Sequence, residues 1–325
     1  EPSDTSSSHS SIMSIVGAIN LVLPKIEVHL AGSSIDGQLV LNLRSTLKEP
    51  VVKVELEGRG YLRWLEEDNP ELDYEKITAC TNKAVYVSTS KIFHIEGKTL
   101  DSGVHTFDFH FSLPPRIPST FTSKIGSISY FVKGTCCSHQ TVLAREERSL
   151  LLQGTAVFSN KNSLCFAFLL ILSMQASLVV EARKDVVYFC CFSLGSVILQ
   201  ISLEKNIFSP GETIVFITDI ANRTHRHVRK VVFAVHCIVL YSGFSSRGEQ
   251  RYLEDRSEVT RLVSQINVVP FEDMRFTNAL LLPKPLPVTS TLMENKIMAF
   301  RYELVGTSDL PCTTSTIESR VPIII

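Results

Sequence analysis

Histidine pairs are the first residues in this sequence whose spacing could support chemistry. His225 and His227 are two positions apart, a spacing that would place both imidazoles on one face of a strand, as zinc ligands require. No Cys, Asp or Glu stands close to them, so the sequence does not predict a metal site. His105 and His110 lie in a strand-like segment, and we expect both on its solvent-facing side.

Motifs of nucleophilic or nucleotide chemistry are also missing from the sequence. Residues 243–248 read GFSSRG and lack the second glycine of a G-x-S-x-G nucleophile elbow. The sequence contains no H-E-x-x-H, no Walker loop and no G-x-G-x-x-G. We therefore predict a protein that is not an enzyme and that has no catalytic residues, cofactor or metal ion.

A basic segment in the second half of the chain is the strongest candidate for binding an anion. Within RTHRHVRK, four side chains carry a positive charge: Arg223, Arg226, Arg229 and Lys230. Planar guanidinium groups bind phosphate through two hydrogen bonds, so this cluster could contact a phosphoinositide headgroup or a phosphorylated tail. A solvated loop with no ligand is the alternative reading of the same residues.

Alternating side chains predict the elements that carry these residues. Phe107, Phe109 and Phe111 alternate with polar residues at the period of a half-buried strand. Prolines at 114, 115 and 118 then prevent the strand from continuing, and the alternation resumes at Ile128 and Tyr130. The segment 103–133 is therefore predicted to be a strand, a proline-rich corner and a second strand.

An internal repeat predicts the architecture. Strands at 39–44 and 52–56 are joined by a short polar segment, and strands at 214–220 and 231–240 repeat this arrangement. We expect each pair to form an antiparallel hairpin. Because no convincing amphipathic helix separates the turns, the fold class predicted is all-β, with two tandem immunoglobulin-like β-sandwich domains.

Length, charge and cysteine content limit the functional classes. A chain of 325 residues with 44% hydrophobic residues is long enough for two domains with separate cores. The formal net charge of −1 predicts no nucleic-acid partner, and any anion site must be local. Eight cysteines in a chain of this length do not form a disulfide framework, so we expect reduced thiols and a cytoplasmic location.

The predicted domain organisation has four parts. Residues 1–12 are small and polar and are expected to be disordered, residues 13–157 and 181–325 to form the two sandwiches, and residues 158–180 to link them. The linker contains a continuous apolar run, 164–174, which is too short for a transmembrane helix. It is expected to be an insert or an additional helix, and a membrane span is the alternative that its short length disfavours.

The pattern GVHTFDFHFSLPPRIPSTF, followed by GSISYFVK, resembles the N-terminal domain of the alpha-arrestins. Segments 21–64 and 203–241 are similar to the same family. The resemblance implies a cytosolic adaptor that binds cytoplasmic parts of membrane proteins and connects them to endocytic trafficking, protein transport or ubiquitination, with peripheral association to plasma membrane or endosomes. The alternative is a constitutive subunit of a cytosolic trafficking complex, similar to the retromer subunit that shares the arrestin fold.

The resemblance also directs attention to particular residues. In visual and beta-arrestins a basic face of the first domain receives receptor phosphates, so Lys25, Arg59 and Arg63 become possible phosphate-facing residues. Beta-arrestins bind phosphoinositides on the second domain, which is consistent with a role for the basic segment described above. Many alpha-arrestins recruit ubiquitin ligases through Pro-Pro-x-Tyr motifs, and this sequence has none. The strand at 16–23 could be an exposed edge that accepts a partner peptide.

Overall fold

The computed structural model describes residues 15–68, 76–155, 177–188, 192–309 and 316–325. Two sequence predictions fall outside these ranges, namely disorder of residues 1–12 and the nature of the apolar run 164–174. None of the helices in the described ranges is both long and apolar enough to cross a membrane.

Within residues 15–68 and 76–155, twelve strands form the first sandwich. They are β1 (Val16–Val22), β2 (His29–Leu30), β3 (Ser34–Leu43), β4 (Leu47–Lys48), β5 (Pro50–Asp68), β6 (Lys76–Phe93), β7 (Thr99–Leu100), β8 (Gly103–Ser112), β9 (Phe121–Thr122), β10 (Gly126–Ser138), β11 (Thr141–Leu150) and β12 (Leu152–Gln153). A single 3₁₀ turn, Glu96–Lys98, precedes β7. One layer has the order β1-β3-β8, and the other has the order β11-β10-β5-β6, with antiparallel pairing throughout.

In the part of the chain described from residue 177 onward, eight strands form the second sandwich. They are β13 (Leu178–Tyr188), β14 (Phe192–Leu203), β15 (Thr213–Thr224), β16 (Val228–Phe244), β17 (Gln250–Val268), β18 (Asp273–Leu281), β19 (Met298–Asp309) and β20 (Thr316–Ile323). One layer has the order β13-β14-β15-β18, and the other has the order β17-β16-β19-β20. The short helix α1 (Leu292–Asn295) lies before β19, and a capping box between Thr291 and Glu294 starts it. The prediction of an all-β protein with two tandem sandwiches is confirmed.

The expected hairpins are wrong, although the strands themselves exist. β3 pairs with β1 and β8, whereas β5 belongs to the opposite layer, where it pairs with β10 and β6. β15 and β16 likewise lie in different layers. The short connection therefore carries the chain across the sandwich in both domains. Both strands bury one face, and crossing over places the two apolar faces against each other, which a two-stranded hairpin cannot do.

The cores follow the predicted alternation. Phe109, Phe111 and Leu113 are buried, and Phe107 is half-buried at the rim, where its ring lies 5.0 Å from that of Phe93. Tyr130 on β10 is 1% exposed and faces them from the opposite layer. The two strands on either side of the proline corner thus supply both walls of the first core.

The two sandwiches meet along a seam between β6 and β16. Phe244 pairs with Thr81, so that the layer containing β5 and β6 continues into the layer containing β16 and β17 as one sheet. The ring of Trp64 packs directly over Gly243, since a Cβ placed on that glycine would lie 2.6 Å from the ring. Absence of a side chain at position 243 therefore permits the close approach of the two domains.

Candidate functional site

The described histidines do not assemble into a metal-binding site. His110 lies on the exposed side of β8, as predicted, with Nδ1 2.6 Å from an Asp36 oxygen. The prediction for His105 is wrong, because this residue shares the inward face of Phe107 and is half-buried at the end of the strand. His105 and His110 are five residues apart. Residues an odd number apart on a strand point to opposite faces, so the two histidines cannot both face solvent. Among the described residues, no three His, Cys, Asp or Glu side chains are grouped to hold a metal.

The basic segment connects β15 to β16 and is organised by Asn222. This side chain is fully buried, and its Nδ2 donates to the carbonyls of Arg226 (2.7 Å), Val268 (3.1 Å) and Val269 (3.2 Å). Its Oδ1 accepts from both the amide and the hydroxyl of Thr224. Asn222-Arg223-Thr224 matches a glycosylation sequon, but an asparagine buried in this way has no room for a glycan. The loop is therefore held to the adjacent β17–β18 turn.

Electrostatics divide the four basic residues into two pairs. Arg223 makes a two-point ion pair with Asp273, at 2.6 and 3.0 Å, which raises the pKa of the guanidinium and lowers the pKa of the carboxyl through the hydrogen bond. Lys230 lies 3.7 Å from an Asp309 oxygen. Arg226 and Arg229 are exposed and have no carboxylate within salt-bridge distance among the described residues. These two are the cations available to a ligand.

An aromatic side chain stands beside this loop. Phe271 is 55% exposed at the β17–β18 turn and has a left-handed backbone, φ 62°, which is rare for a large side chain. The ring of His225 contacts it edge-on at 4.7 Å. The loop and this turn form the distal tip, which we define as His225, Arg226, Arg229 and Phe271.

The other three basic candidates are not brought together. Lys25 lies in the connection between β1 and β2, whereas Arg59 and Arg63 lie on β5. Arg59 is paired with Glu57, and its guanidinium lies 5.5 Å from the centre of the Phe131 ring. Arg59 and Arg63 share the outward face of β5, four residues apart. A single phosphate site made from all three is not formed.

A surface that the sequence reading missed lies across the seam. Tyr61 (51% exposed) and Leu65 (61% exposed) project from β5 on the same face as Arg63, while Trp64 between them points inward. From the second sandwich, Phe244 (43% exposed) and Tyr252 (55% exposed) project on the continuing face of the sheet. We define the seam patch by six residues: Tyr61, Arg63, Leu65, Lys124, Phe244 and Tyr252.

The seam patch borders an open hollow. Tyr61, Arg63 and Leu65 line it on one side and the β9–β10 turn, including Lys124, on the other, and its volume of about 510 Å³ is open to solvent. Arg63 and Lys124 have no carboxylate partner among the described residues. The alternation of exposed Tyr61, Arg63 and Leu65 with buried neighbours was readable from the sequence, but the junction with β16 was not.

Hydrogen bonds between the domains fix the base of the seam patch. The Tyr241 hydroxyl on β16 lies 2.8 Å from the Ser123 hydroxyl, and burial raises the pKa of Tyr241 to about 12. Asn82 Nδ2 on β6 donates to the carbonyl of Ser242 at 2.8 Å. Both bonds lie close to Phe244 and to the β9–β10 turn. The two halves of the patch are therefore part of one ordered junction.

Comparison with known proteins agrees with this architecture. Residues 24–155 match the N-terminal domain of arrestin (or S-antigen), and residues 193–325 match its C-terminal domain. The chain is 44% identical over 313 residues to human arrestin domain-containing protein 5, covering 96% of this chain and 88% of the relative. It is 45% identical over 315 residues to the Bos taurus protein of that name, covering 96% and 92%. Arrestin domain-containing protein 15 of Caenorhabditis elegans is 24% identical over 320 residues, covering 94% and 78%. The resemblance found in the sequence is thus confirmed, and the chain belongs to the arrestin domain-containing family.

Proposed function

We propose that this protein is a non-enzymatic adaptor whose seam patch binds cytoplasmic segments of membrane proteins and connects them to endocytic, transport or ubiquitination machinery. The observation that carries the proposal is the seam patch itself, because four large apolar side chains are exposed together where two domains meet. Clustered exposed apolar side chains with polar neighbours are typical of protein-binding surfaces. Membership of the arrestin domain-containing family supports the adaptor class.

The charges around the patch indicate which segments it would bind. Arg63 and Lys124 favour acidic or phosphorylated residues on the partner. The end of β5 and the chain that follows it are acidic in sequence, with six carboxylates from Glu66 to Glu75. Cytoplasmic segments next to a membrane carry an excess of Lys and Arg. A partner with apolar anchors between charges of both signs fits this combination.

Alanine substitutions test the docking surface. Replacing Tyr61 and Leu65 together by alanine should weaken binding of a cytoplasmic-tail peptide, identified by pull-down from a panel of receptor and transporter tails, by roughly tenfold or more, since buried anchors dominate interface energy. Binding is measured by fluorescence anisotropy. The matched control is Leu281→Ala, because Leu281 is 63% exposed, as Leu65 is 61% exposed, but lies on β18.

Two results would count against the proposal. One is equal affinity for the double variant and the control, which would place the docking surface elsewhere. The other is recovery of the native protein, on size-exclusion chromatography, only within one large stable complex and with no tail bound. That behaviour would fit a constitutive structural subunit.

A peripheral membrane contact is a second proposal, favoured by the distal tip. Arg226 and Arg229 are cations with no carboxylate partner in the described part of the chain, and Phe271 is an exposed aromatic side chain, a combination that suits an anionic lipid headgroup at an interface. β16 extends from this tip to the seam over 17 residues, so the two surfaces are roughly 50 Å apart. One molecule has room to contact a lipid and a protein segment at different places.

Liposome sedimentation tests the lipid contact. Substituting Arg226 and Arg229 by alanine should lower binding to vesicles containing a phosphoinositide by about fivefold or more, because two charge-assisted contacts are lost. Arg223→Ala is the matched control, since Arg223 is already paired with Asp273. Unchanged sedimentation of the double variant, or the same loss in the control, would exclude the selective role of these two arginines.

A further inference from the structure

A buried cluster on the inner side of the domain junction joins the two sandwiches through one side-chain amide. Gln153 ends β12 and is 5% exposed. Its Nε2 donates to the carbonyl of Leu286 at 2.8 Å, and its Oε1 accepts from the amide of the same residue at 2.9 Å. The carboxamide thus pairs with the Leu286 backbone in the way a neighbouring strand would. This is a contact between the first domain and the second.

Ser119 completes the cluster. Its hydroxyl donates to the Leu286 carbonyl at 3.1 Å and accepts from Gln153 Nε2 at 3.0 Å and from the Gly154 amide at 2.8 Å. The Gly154 carbonyl also lies 2.8 Å from Gln153 Nε2, so the two hydrogens of this amide are shared among three oxygens. We call Ser119, Gln153 and Leu286 the interdomain clasp. It is buried, uncharged and fully hydrogen-bonded.

Each side of the clasp stands on an equivalent loop. Residues 113–120 read LPPRIPST and residues 282–289 read LPKPLPVT, so the proline corner of the first domain is repeated in the second. The Tyr130 hydroxyl donates to the Pro118 carbonyl at 2.6 Å, and the Tyr302 hydroxyl donates to the Pro287 carbonyl at 2.5 Å. Each loop is therefore anchored to the core of its own domain. A movement of one loop relative to the other has to break the clasp.

The amide of Gln153 is the only group of this clasp that pairs with both backbone positions of Leu286. Removing it would leave a buried N–H without a partner and a carbonyl with the Ser119 hydroxyl alone. Ser119 already donates to the Leu286 carbonyl, whereas the acceptor of the Leu286 amide is Gln153 Oε1. Loss of the Gln153 carboxamide alone is therefore expected to open the clasp.

We propose that Gln153 is the positioning residue that fixes the arrangement of the two sandwiches and so keeps the two halves of the seam patch in register. The consequence for binding rests on the adaptor function proposed above, whereas the effect on domain arrangement does not. Tyr61 and Leu65 belong to one domain and Phe244 and Tyr252 to the other. Opening the clasp would separate these anchors and lower affinity without altering any of them.

Trp64 provides a direct measurement, because it is the only tryptophan in the sequence and its ring lies on Gly243 of the other domain. We would compare Gln153→Met, which has a similar length and no amide, and Gln153→Glu, which cannot donate when ionised. Gln38→Glu is the matched control, since Gln38 is exposed and contacts only its own domain through Asp108. Acrylamide quenching of Trp64 and hydrogen exchange of the Leu286 amide are recorded, with circular dichroism to verify that the sheets persist.

The expected result is about a twofold increase in Trp64 quenching and roughly tenfold faster exchange at Leu286 in both Gln153 variants, with none in the control. Exchange can be read from the native population even if one variant is poorly stable. The proposal would be overturned if both Gln153 variants showed the same Trp64 quenching and the same Leu286 exchange rate as the wild-type protein. Faster exchange with unchanged tail affinity would overturn only its consequence for binding, and failure of the wild-type protein to bind any tail would overturn the adaptor function while leaving the clasp measurement intact.

Discussion

At the scale of single residues, Asn222 shows how one buried side chain organises a charged surface. Its amide holds carbonyls from the β15–β16 loop and from the β17–β18 region, so it sets the position of Arg226 and of the turn that carries Phe271. Exposed arginines on a loop gain binding geometry only if the backbone beneath them is fixed. Asn222 is therefore as important to the distal tip as the charges themselves.

Asn222→Ala should destabilise the second sandwich by about 3 kcal/mol, because the three backbone carbonyls lose their donor in a buried place. Urea denaturation followed by circular dichroism measures the change. Asn42→Ala, at an exposed position of β3, is the control and should change stability by less than about 0.5 kcal/mol. Equal stability of the two variants would show that water replaces the Asn222 amide without cost.

Residue patterns in the sequence predicted the core side chains. They missed the role of Asn222 and the pairing of the basic residues, and the reason is physical. Alternation alone placed Phe109, Phe111 and Tyr130 in the core, since inward direction on a strand is a local property. The role of Asn222 in holding the loop was not readable, because its partners at 268 and 269 are distant in sequence. The four basic residues looked equivalent, and only Asp273 and Asp309, which the fold brings to them, separate the paired cations from the free ones.

At the scale of elements, the strands were predictable and their partners were not. β3 and β5 were placed correctly as strands, but a short polar connection fits both a hairpin and a crossing between layers. The choice depends on whether the two apolar faces are to lie side by side or opposite each other, which is a property of the whole core. The repetition of this error at β15 and β16 has the same origin, because both domains use the same crossing.

The strands β1 and β11 lie at edges of the two layers of the first sandwich. β1 has one strand partner, β3, within the described residues, which agrees with the expectation of an edge, and Arg148 on β11 reaches across to its Asn20 at 3.4 Å. β11 carries Arg145, Glu146 and Glu147 in succession. Charged side chains along an edge oppose uncontrolled pairing with other chains. The peptide-accepting role predicted for β1 stays a prediction, and the seam patch offers side chains instead of an open edge.

At the scale of the whole molecule, the junction is built to make two sandwiches behave as one body. The shared sheet at Phe244 and Thr81, the Tyr241–Ser123 bond and the interdomain clasp lie at separate points along it. Phe121 and Phe300 add an edge-to-face ring contact at 5.0 Å between the domains. None of these contacts was readable from the sequence, because each joins residues more than 100 positions apart.

A substitution at Gly243 tests whether this junction carries cooperativity. A valine there would place its Cβ about 2.6 Å from the Trp64 ring, so the ring must leave its place and the sheet junction must loosen. We expect the wild-type protein to unfold in a single calorimetric transition and Gly243→Val to unfold in two, because each sandwich keeps its own core. Gly17→Val, where the nearest atom is the flexible Arg44 side chain at 3.3 Å, is the control and should keep one transition. Two transitions in the wild-type protein would mean that the domains are already independent, and a single one in Gly243→Val would mean that the remaining junction contacts are sufficient to unite them.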